Sequence, residues 1–361
     1  MIPLFKVFTA PNVGERVQKV FNSGFIAQGK EVDDFEENLK SFLDCRDIAV
    51  MNSATSALTV AYKLSGIDRD DEVIVTPLTC MATNEPLDII GAKLVWADID
   101  PSTGNIDPED VKRKITKKTK LISAVHWAGQ PFEIDEINRI ASENEIKVVE
   151  DAAHAIGSEY KSVKIGNHSD YVAFSFQAIK HLTTGDGGAL VCKNQEDDAR
   201  SKKLRWFGLD RNYPGSKWTQ DITESGFKFN MNNINAAIGN HNLPFLQSLL
   251  DKHLENSLFY DNNITNKKIT KLSRNNYSKS SCWIYTLKVE DREHFKQHMR
   301  LNGVETDPVH VRNDKYSVFK KFYSDDLVGC NEFCSKHINI PVGWWLSEEQ
   351  RNKIVDLVNE Y

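Results

Sequence analysis

The stretch DYVAFSFQAIKHLTTGDGGALVCK, residues 170–193, holds two short apolar runs separated by a polar, glycine-bearing loop. Tyr171 to Phe176 and Gly188 to Cys192 read as strands, with no polar alternation, the pattern of strands covered on both faces. Between them stands Lys180, only a few residues after the chain leaves what reads as core. A strongly hydrated cation has no structural need of that position, so Lys180 is the residue to explain.

The same texture extends toward the N-terminus. DEVIVTP (71–77), AKLVWADI (92–99), TKLISAVH (119–126) and IKVVEDAA (146–153) read as further strands. SATSALTVAYKLSG (53–66), PEDVKRKI (108–115) and EIDEINRIASENE (133–145) carry helical spacing, an acidic first turn or a glycine stop. Alternation of this kind from about 48 to 193 predicts a three-layer α/β/α domain with a mostly parallel sheet, its ligand at the carboxyl ends of the strands. Residues 255–281 are polar and rich in Asn, Lys and Ser; CWIYTLKV (282–289), EHFKQHMRLNG (293–303) and EEQRNKIVDLVNEY (348–361) follow as strand, helix and helix. With 361 residues, this predicts a large domain over 1–250 and a smaller α+β domain over 251–361.

Composition narrows the function classes. Hydrophobic residues at 40% and charged residues at 27% describe an ordinary globular chain, and a net charge of −6 gives no reason to expect nucleic acid or an anionic membrane as partner. No run approaches the ~18 apolar residues of a membrane span, and Lys6 and Pro11 interrupt the start before a signal-like core forms. The six cysteines are scattered without a CxxC pair, which points to reduced thiols and a cytosolic setting. Cys330, Cys334 and His337 lack the second pair that zinc spacing needs, so no metal is expected. The basic run KRKITKKTK (112–120) reads as a solvated helix face and loop.

Three segments could carry chemistry. In NSATSALTVAYKLSG (52–66), Asn52 or Ser53 caps a helix whose first turn carries Ala54 and Thr55. Free N–H groups there suit a phosphate, although plain capping explains the same letters. In VVEDAAHAIG (148–157), Glu150 and Asp151 follow a strand at its carboxyl edge, where a carboxylate needs a cationic or proton-donating partner; Asp151 also suits a helix cap. Around Lys180, Ser175 ends a strand, and Gly185, Gly187 and Gly188 allow close backbone approach to a ligand. A partly desolvated lysine is neutral often enough to attack a carbonyl, although an ordinary exposed loop lysine explains the same letter taken alone. A phosphate cradle, a strand-end aspartate and a nucleophilic lysine, in that order, meet the needs of pyridoxal phosphate. GDGG fits neither a P-loop nor a dinucleotide fingerprint, because it precedes a strand.

At this point the sequence resembles the nucleotide-sugar aminotransferases of the DegT/DnrJ/StrS type, fold-type-I pyridoxal phosphate enzymes. IPLFK, SGFIAQGKEVDDFEENL, NSATSAL, DEVIVTPLTCMAT, DIDPSTGNID, VHWAGQP, VEDAAHAIG, FSFQAIKHLTTGDGG, GFKFNMNNINAAIG and INIPVGWWL carry the likeness over nearly the whole chain. The resemblance implies that Lys180 forms the Schiff base, that Asp151 pairs with the pyridine nitrogen, and that His154 lies near the ring hydroxyl. It implies phosphate contacts from Ser53, Ala54, Thr55 and Ser175, with Lys228 or Asn230 reaching the neighbouring subunit's phosphate in a homodimer with shared active sites. Cys80 stands where relatives usually stack an aromatic residue on the ring; Trp127 is a candidate to compensate. Phe25, Gln28, His310 and Arg312 are candidate substrate contacts.

The implied reaction moves an amino group from glutamate to a ketone of a nucleotide-linked deoxysugar, through pyridoxamine phosphate and with ping-pong kinetics, toward surface polysaccharide or glycan precursors. A related dehydratase activity replaces the lysine by histidine. Here Lys180 is kept and His181 lies one position off. The alternatives are amination of a small phosphorylated ketone, or a cofactor-binding regulator or dehydratase relative without transaminase activity.

Overall fold

A computed structural model describes residues 1–216 and 219–361. The N-terminal two thirds contribute β1 (Ala49–Met51), β2 (Glu72–Val75), β3 (Lys93–Trp96), β4 (Thr119–Val125), β5 (Lys147–Asp151), β6 (Glu159–Tyr160), β7 (Val163–Lys164), β8 (Tyr171–Ser175) and β9 (Gly188–Cys192). The C-terminal third adds β10 (Thr270–Lys271), β11 (Ser278–Lys279), β12 (Tyr285–Lys288) and β13 (His337–Ile340).

The main sheet has seven strands in the order β1-β9-β8-β5-β4-β2-β3. The strands β3, β2, β4, β5 and β8 are mutually parallel, and β9 runs antiparallel to both β8 and β1. Every residue of β1, β2, β8 and β9 is buried, which accounts for the missing polar alternation in the opening stretch. Helices Lys30–Leu43, Ile134–Glu143 and Asn233–Asn242 contribute to the core on one face, and helix Ala54–Leu64 to the core on the other. This is the α/β architecture, with a mostly parallel sheet, that the alternation predicts.

All six strands expected between 71 and 193 form, as do the three helices expected between 53 and 145. The basic run at 112–120 ends helix Pro108–Lys114 and enters β4, with Arg113 and Lys114 paired to Asp110 and Asp326. All six cysteines are free thiols. Among the described residues, no helix is long and apolar enough to cross a membrane.

A second core gathers around β10, β12 and β13 and includes Tyr285, Leu287, Phe295, Ile338 and Ile354. Helix Leu246–Asn263 crosses position 250: Leu246 and Leu250 belong to the large core and Tyr260 to the small one. The N-terminal segment also joins the small core. Ile2 donates its N–H to the Gly303 carbonyl at 2.7 Å and accepts from the Glu305 N–H at 3.0 Å. That pairing carries Met1, Leu4 and Phe5 to the wall of a cavity between the two cores.

Candidate active site

The cavity measures about 900 Å³ and opens at the carboxyl ends of β5 and β8. The loop from β8 to β9 folds back on itself: the Phe176 N–H donates to the Gly187 carbonyl at 2.8 Å, and the Thr184 N–H to the Phe176 carbonyl at 2.9 Å. The Asn235 amide holds it from outside by donating to the carbonyls of Thr184 (2.8 Å) and Asp186 (2.9 Å). This fixed loop carries Lys180 into the cavity. Its Nζ lies 3.6 Å from the Trp283 ring centroid. Desolvation lowers the Lys180 pKa from 10.5 to about 7, against the opposing pull of Asp151 and Cys80.

Asp151 ends β5 as a buried carboxylate. Its Oδ2 accepts from the Thr83 hydroxyl at 2.6 Å and its Oδ1 from the Ala153 N–H at 3.0 Å. Thr79 supports Thr83 at 2.9 Å, hydroxyl to hydroxyl. Among the described residues Asp151 makes no ion pair, so its charge is available to a cationic ligand. Its neighbour Glu150 faces away and pairs with His126 at 2.8 Å. His154 stacks on Trp283 with centroids 3.9 Å apart and planes at 15°. Its Nε2 lies 3.3 Å from Nε2 of His310, while its buried Nδ1 has no partner among the described residues. Burial first, then the Lys180 charge, holds His154 well below the usual imidazole range.

Ser53 caps helix Ala54–Leu64, its Oγ accepting from the Ser56 N–H at 3.0 Å. Ala54 and Thr55, whose N–H groups precede any intrahelical acceptor, line the cavity at the positive end of the helix. Gly188 explains how the helix comes so close to the lysine loop. A Cβ there would stand 2.4 Å from Ala54 N and Ser53 C. The close approach is between β9 and the helix start, protein against protein, where the sequence reading assigned it to a ligand.

Nine of the expected site residues line this one cavity: Ser53, Ala54, Thr55, Cys80, Asp151, His154, Ser175, Lys180 and His310. Five do not. The Arg312 guanidinium is buried and committed, donating to both carboxylate oxygens of Asp314 at 2.8 and 2.6 Å and also to Asn331. Gln28 is buried, and Phe25 is exposed on the loop before helix Lys30–Leu43. Lys228 donates to Asn230 at 2.6 Å and lies 3.7 Å from the Trp206 ring centroid, while Asn230 pairs by a bridge with Met51. Trp127 is buried too, its indole N–H donating to the Thr286 hydroxyl at 3.2 Å. His181 turns from the cavity to contact His253, with centroids 4.5 Å apart. Cys330 and Cys334 sit 3.7 Å apart, sulfur to sulfur, and both nitrogens of His337 face carbonyls.

The sequence reading missed Thr83, Trp283 and Phe5. Thr83 sits inside TPLTCMAT, and only its spacing of four from Thr79 hints at a shared helix face. Trp283 and Phe5 reach the cavity through tertiary contacts that no local pattern encodes.

A family model described as the DegT/DnrJ/EryC1/StrS aminotransferase family matches residues 10–359. A UDP-4-amino-4,6-dideoxy-N-acetyl-beta-L-altrosamine transaminase of Campylobacter jejuni is 32% identical over 91% of this chain and 88% of its own. Among solved structures, AtS13 from Actinomadura melliaura superposes with a TM-score of 0.97 at 37% identity, covering 100% of this chain and 99% of that one. A structure of the Streptococcus pneumoniae protein Spr1654 in its PMP-form superposes with a TM-score of 0.94 at 25% identity, covering 100% and 98%.

Proposed function

The chain belongs to the DegT/DnrJ/EryC1/StrS aminotransferase family, and from that premise we propose that it transfers an amino group from glutamate to a ketone of a nucleotide-linked deoxysugar with pyridoxal phosphate as cofactor. The observation that carries this reading is the Lys180 amine, lowered to about 7 in a cavity that also holds Asp151 and an open helix N-terminus. The residues fit the cofactor: an uncompensated buried carboxylate suits a protonated ring nitrogen, the N–H groups of Ala54 and Thr55 suit a phosphate, and the orphaned Nδ1 of His154 suits a ring oxygen. The PMP-form of the pneumococcal protein supports the same choice. When bound, pyridoxal phosphate supplies the electron sink for a carbanion beside the transferred nitrogen.

The chain's own residues do the rest. Asp151, fixed by Thr83 and the Ala153 N–H, holds a negative charge at one end of the site. The helix start and Ser175 fix the other end. Nζ of Lys180, about half neutral near pH 7, takes the proton from the donor's α-carbon and, as an ammonium, gives it up again. Cys80 offers its small, soft side chain at the cavity wall.

The Campylobacter relative supports the acceptor class. A cavity of about 900 Å³ also exceeds what a small phosphorylated ketone needs. His310 is the proposed substrate contact that the cavity retains. A homodimer is part of the reading: Phe25, Ile26 and Phe207 are exposed, and Phe25 is joined through Asn233 to the segment that carries Lys228 and Asn230.

Protein reconstituted with pyridoxal phosphate is expected to absorb in the visible, lose that band on adding glutamate, and regain it on adding a keto-deoxysugar nucleotide. A band that persists in glutamate refutes the reading.

A further inference from the structure

Trp283 is held against the lysine at two points. Its indole N–H donates to the carbonyl of Ile179, the residue before the lysine, at 3.0 Å. Its ring face receives Nζ of Lys180 at 3.6 Å from the centroid. The tryptophan is itself immobilised. It is 2% exposed, its main-chain N–H donates to the Ala128 carbonyl at 3.0 Å, His154 stacks on it at 3.9 Å, and Phe5 stacks at 5.2 Å with planes 28° apart. One rigid side chain thus touches both the backbone and the amine of the lysine loop.

We propose that Trp283 is a positioning residue that holds the Lys180 amine whenever that amine is not joined to the cofactor, keeping it at one spot between the two proton transfers of a turnover. The proposal rests on the aminotransferase reading and adds a residue to it. A lysine stem has four rotatable carbons, so a free amine in an open cavity samples many positions. A ring face attracts the ammonium through its quadrupole most strongly where water is excluded, and it leaves the neutral amine free to depart. The charged and titratable groups that face Nζ cannot do this. Asp151 and Cys80 favour the ammonium, but on the proposed reading the Asp151 charge is taken up by the cofactor's ring nitrogen. His154, His181 and His310 are held neutral by burial and by the lysine charge, or by burial and neighbouring imidazoles. Trp283 is the surface that binds the cation without accepting its proton.

The test uses the reconstituted enzyme and the half-reaction with L-glutamate, unlabelled or deuterated at Cα, followed by the loss of visible absorbance. Trp283→Phe keeps a ring face and loses the indole N–H; Trp283→Leu loses both, and Trp283→Met serves the same purpose if the leucine variant does not fold. Expected for Leu or Met is normal cofactor uptake, a half-reaction slowed tenfold or more, a larger deuterium isotope effect, and an acid limb of the pH profile moved to lower pH, because the ammonium has lost its platform. Phe is expected to stay within about threefold of the native rate. An isotope effect and pH profile unchanged in the Leu or Met variant overturn the proposal, as does a Phe variant as slow as Leu. A native enzyme that takes up cofactor but does not respond to glutamate removes the aminotransferase premise instead, and the role of Trp283 with it.

Discussion

Replacing Lys180 by methionine is expected to make the cofactor-free protein more stable near neutral pH. Lys180 lies at about 7 in the folded chain, against 10.5 when unperturbed. Each unit of such a difference corresponds to roughly 1.4 kcal/mol, so the shift of about 3.5 units sets an upper bound near 5 kcal/mol. Partial solvent access to the cavity reduces this to a few kcal/mol. The sign follows from proton counts. Below about pH 7 both states hold the lysine proton, and the folded state bears the full cost of a desolvated ammonium. Between about 7 and 10.5 the unfolded chain keeps a proton that the folded chain has lost, so native stability rises with pH across this window. Methionine has similar length and no charge. The advantage of Lys180→Met is therefore largest at pH 7 and shrinks as pH approaches 10.5. Urea denaturation of both cofactor-free proteins at a series of pH values reads the difference directly. A native protein as stable as the variant at pH 7, or a gap that does not narrow with pH, refutes the claim that desolvation activates this amine.

Three further outcomes are expected. Thr83→Val removes the hydroxyl 2.6 Å from a buried carboxylate and should cost roughly 1.5–3 kcal/mol in denaturation, with Thr83→Ser recovering most of it. Gly188→Ala forces a methyl to within 2.4 Å of the Ser53–Ala54 backbone; it should destabilise the fold by about 1–3 kcal/mol and weaken retention of the cofactor phosphate, measured by equilibrium titration with pyridoxal phosphate. Arg312→Ala strands the buried Asp314 carboxylate and should lower stability by roughly 3–5 kcal/mol while leaving KM for the acceptor unchanged, because the guanidinium lies outside the cavity.

The large domain was legible because its strands are buried on both faces and its helices open on strong caps. Asp107, followed by Pro108, is such a cap, with its carboxylate accepting the Glu109 N–H. Helix Lys30–Leu43 was not read as one, although Val32, Phe35, Leu39 and Leu43 recur at three and four and are all buried. β1 escaped notice because three residues are too few to show a period. The cavity-lining residues were visible where they end a strand, cap a helix or follow a strand into a glycine-bearing loop, as Asp151, Ser53 and Lys180 do. Arg312 illustrates the opposite failure. A guanidinium two residues from a candidate loop histidine suggests anion binding, yet Asp314, two positions on, supplies its carboxylate within the chain. Thr83 and Trp283 act through partners 68 and 104 residues away, a distance at which local patterns carry nothing.

The reversed strand β9 has a consequence for how this protein can change over time. The Ser53 cap and the Lys180 loop are tied together by the ladder of β1, β9 and β8, whose main-chain hydrogen bonds pair Met51 with Gly188 and Gly188 with Ser175. Side chains along these strands, Gly188 and Ser175 apart, can drift without altering the span between the Lys180 loop and the Ser53 cap, because that span is counted in peptide units. One residue inserted into or deleted from β8 would instead invert every later side chain of that strand across the sheet and turn Ser175 away from the cavity. Lineages of this protein are therefore expected to accumulate substitutions in these strands while keeping their lengths fixed, and to place insertions in the surface loops beyond.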